Sequence, residues 1–313
     1  MRFAVFGAGG IGGYLGGRLS QAGEEVAIIA RGAHLAAIRD QGLRVDSIKG
    51  DFVFSPSVAT DNPADVGAVD VVILGVKAWQ LTEAAEAMRP MIGPETCVLP
   101  IQNGVEAPSQ LSAVLGEEAV LGGLGGIVSY TVGPGHIRHA AVDPFVRFGE
   151  VDNHASPRTE RLLQAFERAG VKADIPPNIQ AALWQKMMFI CAFSGVGAVT
   201  RAPAGVWRSL PETWEMARHI VYETESVARA QGIVLTGDEA KTAIAQLESV
   251  QSNATVSMQR DIMEGRPSEL EVQNGAVVRL GREVGVPTPV NTFIYYSLLP
   301  QEMKARGQLE SPF

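Results

Sequence analysis

Cysteine is nearly missing from this 313-residue chain, occurring only as Cys97 and Cys191, each in apolar surroundings. Two such thiols cannot make a disulfide framework and read as reduced core residues. With no CxxC and no Cys/His cluster at ligand spacing, no metal is expected. Basic charge is also scarce: 26 Lys and Arg against 34 Asp and Glu give a formal net charge of -8. No local run of Lys and Arg offsets this, so nucleic acid is not expected as a partner and small molecules are. Membrane-spanning character is sparse in the first half. Ala119 to Ile137 has the length of a membrane span, but its six glycines, Pro134 and His136 make it a poor membrane helix, and strands and turns are expected there. Met1-Arg2 leads directly into a strand-like Phe3 to Phe6, too short for a signal-peptide core, so a cytoplasmic protein with no membrane partner is expected.

What is present is a pattern of two halves. Up to about Val171, short β-branched runs alternate with amphipathic stretches, the pattern of a parallel sheet wrapped by helices. Strands are expected at Phe3–Phe6, Val26–Ala30, Val69–Gly75, Thr96–Ile101, Val120–Tyr130, His136–Ala140, Val146–Gly149 and Val171–Ile175. After Pro176-Pro177 the chain reads as helices: Ile179–Phe193, Pro211–Gln231, Thr236–Leu247, Ala254–Glu264, Ser268–Glu283 and Asn291–Arg306. The fold class expected is α/β, with a Rossmann-type doubly wound domain over 1–176 and an all-helical domain over 177–313. The late helices carry Phe293, Ile294, Tyr295 and Tyr296. Such a stripe is more often core than interface, and a homodimer through these helices stays open.

Gly7-Ala8-Gly9-Gly10-Ile11-Gly12 matches G-x-G-x-x-G directly after the first strand and before a helix-compatible stretch. In that context the glycines serve a tight turn, a close approach of backbone to pyrophosphate, and helix–strand packing. The second strand ends at Arg31, where an NAD enzyme would commonly place an acid. An arginine suits a 2'-phosphate, so NADPH is expected over NADH.

Two further strand ends deliver polar residues: Lys77 after Val71–Val76, and Asn103 after Val98–Gln102. Both are candidates for cofactor contact, and Asn103 also for substrate, although ordinary turn roles fit them equally well. In the second half, helical spacing surrounds Lys186 with Ala182, Leu183, Phe189 and Ile190. A desolvated lysine has a lowered pKa and can act as general acid, while periodicity by itself favours a stem lying on apolar surface with its ammonium in water. Glu269 opens the helix after Gly265-Arg266-Pro267-Ser268, where an acid ordinarily complements the helix dipole. Ser257 and Asp261 lie one helical turn apart.

Taken in order, these motifs resemble the ketopantoate reductase (2-dehydropantoate 2-reductase) family. The likeness runs through the glycine motif, Ala30-Arg31-Gly32, Val76-Lys77-Ala78-Trp79-Gln80, Gln102-Asn103-Gly104, Leu183-Trp184-Gln185-Lys186, Ser257-Met258-Gln259-Arg260-Asp261 and Glu269 to Gly275. The resemblance implies reduction of the C2 ketone of a 2-oxo acid by NADPH, in pantothenate biosynthesis. It assigns Lys186 as general acid and Glu269 as the partner of the ketone or hydroxyl oxygen. Ser257 falls near the substrate carboxylate, and Lys77 and Asn103 at the cofactor and substrate edge. The chain departs from the family where an N-C-x-x-N pattern usually follows the lysine: here Ile190-Cys191-Ala192-Phe193-Ser194 stands, leaving Ser194 as the polar substrate candidate. Losing a hydrogen bond to a buried polar group costs about 1 to 3 kcal/mol, so a more apolar 2-oxo acid is the alternative substrate. A non-catalytic NADPH-sensing module is the alternative of another class, against which the retention of Lys186 and Glu269 speaks.

Overall fold

The computed structural model describes residues 1–309. They form two compact units, one of Met1–Gln102 with Glu106–Ile179, the other of Asn103–Val105 with the chain from Gln180 onward. The break falls at Ile179/Gln180, just after the expected 176/177, and the three residues after Gln102 cluster with the second unit.

In the first unit the elements run β1 (Arg2–Phe6), α1 (Gly10–Gln21), β2 (Glu25–Ile29), α2 (Gly32–Gln41), β3 (Leu43–Ser47), β4 (Phe52–Phe54), β5 (Val58–Thr60), β6 (Val71–Leu74), α3 (Leu81–Met88), β7 (Cys97–Pro100), α4 (Ala107–Leu115), β8 (Leu121–Gly133), β9 (His136–Glu150), α5 (Pro157–Arg168) and β10 (Lys172–Asp174). Five of the strands make a parallel sheet in the order β5-β2-β1-β6-β7. The order reverses direction beside β1, which is where doubly wound sheets bind ligands beyond the strands' carboxyl ends. Residues Phe3–Phe6 and all of β6 are buried, which explains why these strands read as unbroken apolar runs.

A second, mixed sheet runs β10-β9-β3-β4, with β8 paired antiparallel to β9. Here the structure corrects the expectation. His136–Ala140 and Val146–Gly149 belong to a single strand, β9, interrupted where Val142 takes a positive φ of 64° and the register with β8 shifts. A bulge of this kind breaks the alternation by which strands are recognised. The strands β3, β4 and β5 are not among the expected ones: β4 and β5 have only three residues each, and β3 carries Arg44 and Asp46, which break its apolar pattern.

The second unit is helical: α6 (Ile179–Thr200), α7 (Ala204–Ser209), α8 (Pro211–Ala230), α9 (Glu239–Ser249), α10 (Ser257–Met263), α11 (Ala276–Glu283) and α12 (Pro289–Ala305). Trp184, Met187, Met188, Cys191, Ala192 and Val196 of α6 are buried in its core. Among the described residues α6 alone is long and apolar enough to cross a membrane, yet 72% of its apolar window is buried within the protein. The helix expected over Ser268–Glu283 is broken. A π-type turn, Glu271–Gly275, precedes α11, and Gln273 inside it departs from helical geometry (φ −103°, ψ −106°).

A buried polar chain crosses this apolar core. The Glu223 carboxylate, on α8, accepts the N–H groups of Val290 (2.8 Å) and Asn291 (2.9 Å) at the start of α12, and Asn291 Nδ2–H (2.8 Å). Asn291 Oδ1 accepts Asn274 Nδ2–H (2.9 Å), tying the π-type turn into the same chain. Glu223 therefore caps α12 with a charge suited to a helix N-terminus. Truncating it strands two backbone N–H groups and an amide in the core, so Glu223→Ala is expected to destabilise this unit by about 3 kcal/mol, read as a thermal transition several degrees lower.

Candidate functional site

The glycine motif forms the turn from β1 into α1. Gly7 has φ +98°, and a side chain there would meet Val76 at 2.9 Å; a Cβ on Gly12 would lie 2.3 Å from Gly7 O. Only glycine fits either position. Gly9, by contrast, has nothing within 4 Å of where its Cβ would stand, and as N-cap of α1 it offers no side-chain oxygen to the first-turn amides. The result is an open backbone cradle at a helix N-terminus, the form that holds a dinucleotide pyrophosphate.

His34 fixes this turn, a role that the sequence did not disclose. Its Nε2 lies 2.9 Å from Ala8 O, and its Nδ1 accepts Gly135 N–H at 3.0 Å. A carbonyl can only accept, so Nε2 carries the proton and the ring joins the glycine loop to the turn between β8 and β9. Ser129, on β8, adds a hydrogen bond from its Oγ to Gly10 O (2.8 Å).

Arg31 stands exposed at the N-cap of α2, where β2 ends, and its Nη2 lies 3.0 Å from Glu83 Oε1. Lys77 is exposed just beyond β6, with its ammonium 5.7 Å from the Trp79 ring centre. Beneath it, Gln102 Nε2 donates to the carbonyls of Leu74 (2.6 Å) and Val76 (3.0 Å), fixing the strand end that presents the lysine.

The second unit gathers another set. Asn103 Nδ2 donates to Glu269 Oε2 at 2.8 Å. Lys186, partly buried on α6, has its pKa pushed down from 10.5 to about 8 by desolvation, with the nearby Glu269 charge acting in the opposite direction. Desolvation of this kind is what an ammonium held partly out of water experiences. Glu269 is itself buried, at 7% exposure, with Asn103 as its hydrogen-bond donor.

The turn that carries Glu269 is clamped by α12. Buried Glu302 accepts Ser268 N–H (3.0 Å) and Ser268 Oγ–H (2.5 Å), and Arg306 donates to both Glu302 (2.6 Å) and Ser268 O (2.9 Å). Glu302 and Arg306 lie more than thirty residues downstream, so no local spacing could reveal them.

The remaining candidates are placed less tightly. Ile190 is buried one turn beyond Lys186, and Ser194 one turn further, fully buried and, among the described residues, with no hydrogen-bond partner for its hydroxyl. Ser257 begins α10, while Asp261 is held by Arg266 Nη2 at 2.7 Å. Both cysteines are buried and free, and burial pushes the Cys97 thiol up to about 12 and Cys191 higher still, so neither is a nucleophile.

Comparison with known proteins gives a consistent picture. Residues 3–153 match the family described as "Ketopantoate reductase PanE/ApbA", and residues 178–302 match its C-terminal counterpart. A 2-dehydropantoate 2-reductase of Mesorhizobium japonicum is 31% identical, the match covering 92% of this chain and 94% of that one. An uncharacterised oxidoreductase of Bacillus subtilis is also 31% identical, covering 95% and 98%. The crystal structure of a ketopantoate reductase family member from Ralstonia eutropha superposes with a TM-score of 0.88 at 31% identity, over 98% of this chain and all of that one.

Two expectations follow from this geometry. With the Lys186 pKa near 8, the ammonium is populated below that value, so ketone reduction should fall as pH rises through about 8 and the reverse oxidation should gain. A kcat-against-pH profile that is flat across that value counts against the lysine as proton donor. For His34, replacement by Ala frees Ala8 O and Gly135 N–H, so dinucleotide binding should weaken by about tenfold with kcat largely kept, measured by fluorescence titration.

Proposed function

Because the chain belongs to the ketopantoate reductase family, we propose that it reduces the C2 ketone of a 2-oxo acid with NADPH, and that the acid is 2-dehydropantoate, yielding pantoate for pantothenate biosynthesis. The observation that carries this reading is the grouping of Lys186, Glu269 and Asn103 in one unit, with the lysine's pKa lowered toward neutrality. The chain is an oxidoreductase with a nicotinamide cofactor, as its family is.

The cradle over Gly9 suits the pyrophosphate, and Arg31 and Lys77 supply cations for a 2'-phosphate. When bound, the reduced nicotinamide supplies hydride, two electrons and one hydrogen nucleus, to the ketone carbon. Lys186 donates the proton that the ketone oxygen takes up, so its ammonium becomes an amine and is reprotonated from water. Glu269 accepts a hydrogen bond from the hydroxyl as it forms, and Asn103 keeps the Glu269 carboxylate oriented. Ser257 serves the substrate carboxylate. A cytosolic setting agrees with reduced, buried thiols.

Ile190 favours a second reading on one point. One turn from the proton donor it presents a buried hydrocarbon side chain, which suits a 2-oxo acid with an apolar substituent better than one bearing a hydroxyl. A mere NADPH sensor, by contrast, has no use for a desolvated lysine beside a carboxylate.

Steady-state NADPH oxidation with a panel of 2-oxo acids separates these readings. The expected result is highest kcat/KM on 2-dehydropantoate, with Lys186→Ala losing at least about a thousandfold in kcat. Preference for an apolar acid transfers the assignment to the second reading. Turnover of none, or an unimpaired Lys186→Ala protein, overturns the reductase mechanism.

A further inference from the structure

Glu83 lies in the first turn of α3 and is exposed, so it contributes nothing to the core. Its Oε1 nevertheless lies 3.0 Å from Arg31 Nη2, across 52 positions of sequence, with about two-thirds of each side chain open to solvent. An exposed ion pair of this kind adds little stability. Its location gives it another significance, because the tip of the second strand of a Rossmann sheet is where the adenosine ribose 2'-position is read.

The two forms of the coenzyme ask opposite things of that tip. A 2'-phosphate needs a cation with free N–H donors, whereas a 2'-hydroxyl needs an acceptor, usually a carboxylate. Arg31 supplies the first and Glu83 the second, on side chains already bonded to each other. A phosphate that engages Arg31 must share or displace the Glu83 carboxylate and then sit near its negative charge. A ribose hydroxyl meets no such conflict.

We propose that Glu83 is a specificity-determining residue that acts through Arg31, restraining the preference for the 2'-phosphorylated dinucleotide and so admitting the unphosphorylated form. The inference rests on the reading that Arg31 receives the 2'-phosphate. It concerns how strongly the protein discriminates, and it leaves the reacting groups of the second unit untouched.

The test is fluorescence titration of the full-length protein with NADPH and with NADH, at low and high ionic strength, for the wild type, Glu83→Gln, Arg31→Ala and the double variant. Glutamine keeps the length and hydrogen-bonding capacity of the side chain while removing its charge. Glu83→Gln should tighten NADPH by about three- to tenfold at low salt and leave NADH unchanged or weaker, with the gain shrinking as salt screens the charges. In the Arg31→Ala background the same exchange should move the NADPH-to-NADH affinity ratio by less than half as much. A ratio unmoved by Glu83→Gln overturns the proposal, as does an equal effect with and without Arg31, which would make Glu83 a diffuse charge. If Arg31→Ala alone leaves the ratio at its wild-type value, the coenzyme reading itself fails and the inference falls with it, a result distinguishable from the others.

Discussion

An ammonium group taken partly out of water is the constraint around which the helical unit is organised. Desolvation weakens the charged form of Lys186, and a carboxylate close by limits that weakening, so the group comes to rest with its pKa near 8. Fully hydrated, it would hold its proton too firmly to give it up. Buried without Glu269, it would hold that proton less firmly still. The linkage to folding has a definite sign: between about 8 and 10.5 the unfolded chain binds more protons than the folded one, so burial of the charge weighs on stability below that window and is relieved as pH rises through it.

The rest of the unit holds that pair in position. Glu269 cannot drift, because the turn before it is fastened by Glu302 and Arg306 from the far end of α12. That helix is itself anchored at its start by Glu223, and through Asn291 the anchor reaches Asn274 in the π-type turn that follows Glu269. Buried polar networks specify geometry when their members are satisfied. This one is not complete, since Asn274 Oδ1 is buried without a partner among the described residues, as are both amide atoms of the adjacent Gln273, whose backbone departs from helical geometry.

How much of this was legible in the chain depends on the range of the interaction concerned. The glycine turn was readable because its requirement is local: a positive φ at Gly7 and the approach of Gly7 O to Gly12 involve residues within one turn of chain. The buried strands β1 and β6 were readable for the same reason, as runs of apolar residues. The bulge at Val142 was not, because a bulge answers to the neighbouring strand's register, and His34 was not, because its partners Ala8 and Gly135 lie 26 and 101 positions away. Helical spacing marked Lys186 as flanked by apolar residues but could not say that a carboxylate from beyond position 260 would stand near it. Family likeness filled that gap by supplying the association of Lys186 with Glu269 that periodicity could not.

Recognition in this protein is thereby divided between two kinds of chemistry. The dinucleotide cradle is made of backbone and of the space left by missing side chains, so few substitutions are tolerated there and its chemistry can be read from residue type. The proposed reacting groups likewise admit few alternatives, since proton transfer needs a titratable group near neutrality. On the proposed reading, the identity of the acid depends on ordinary side chains of the helical unit such as Ile190 and Ser194, both buried on α6. An apolar side chain at position 190 lowers the desolvation cost of that surface and removes a donor, two effects of opposite consequence for a hydroxylated substrate and of the same consequence for an alkyl one. On the same reading, the reaction type rests on groups that proton-transfer chemistry narrowly constrains, and the choice of substrate on groups it does not.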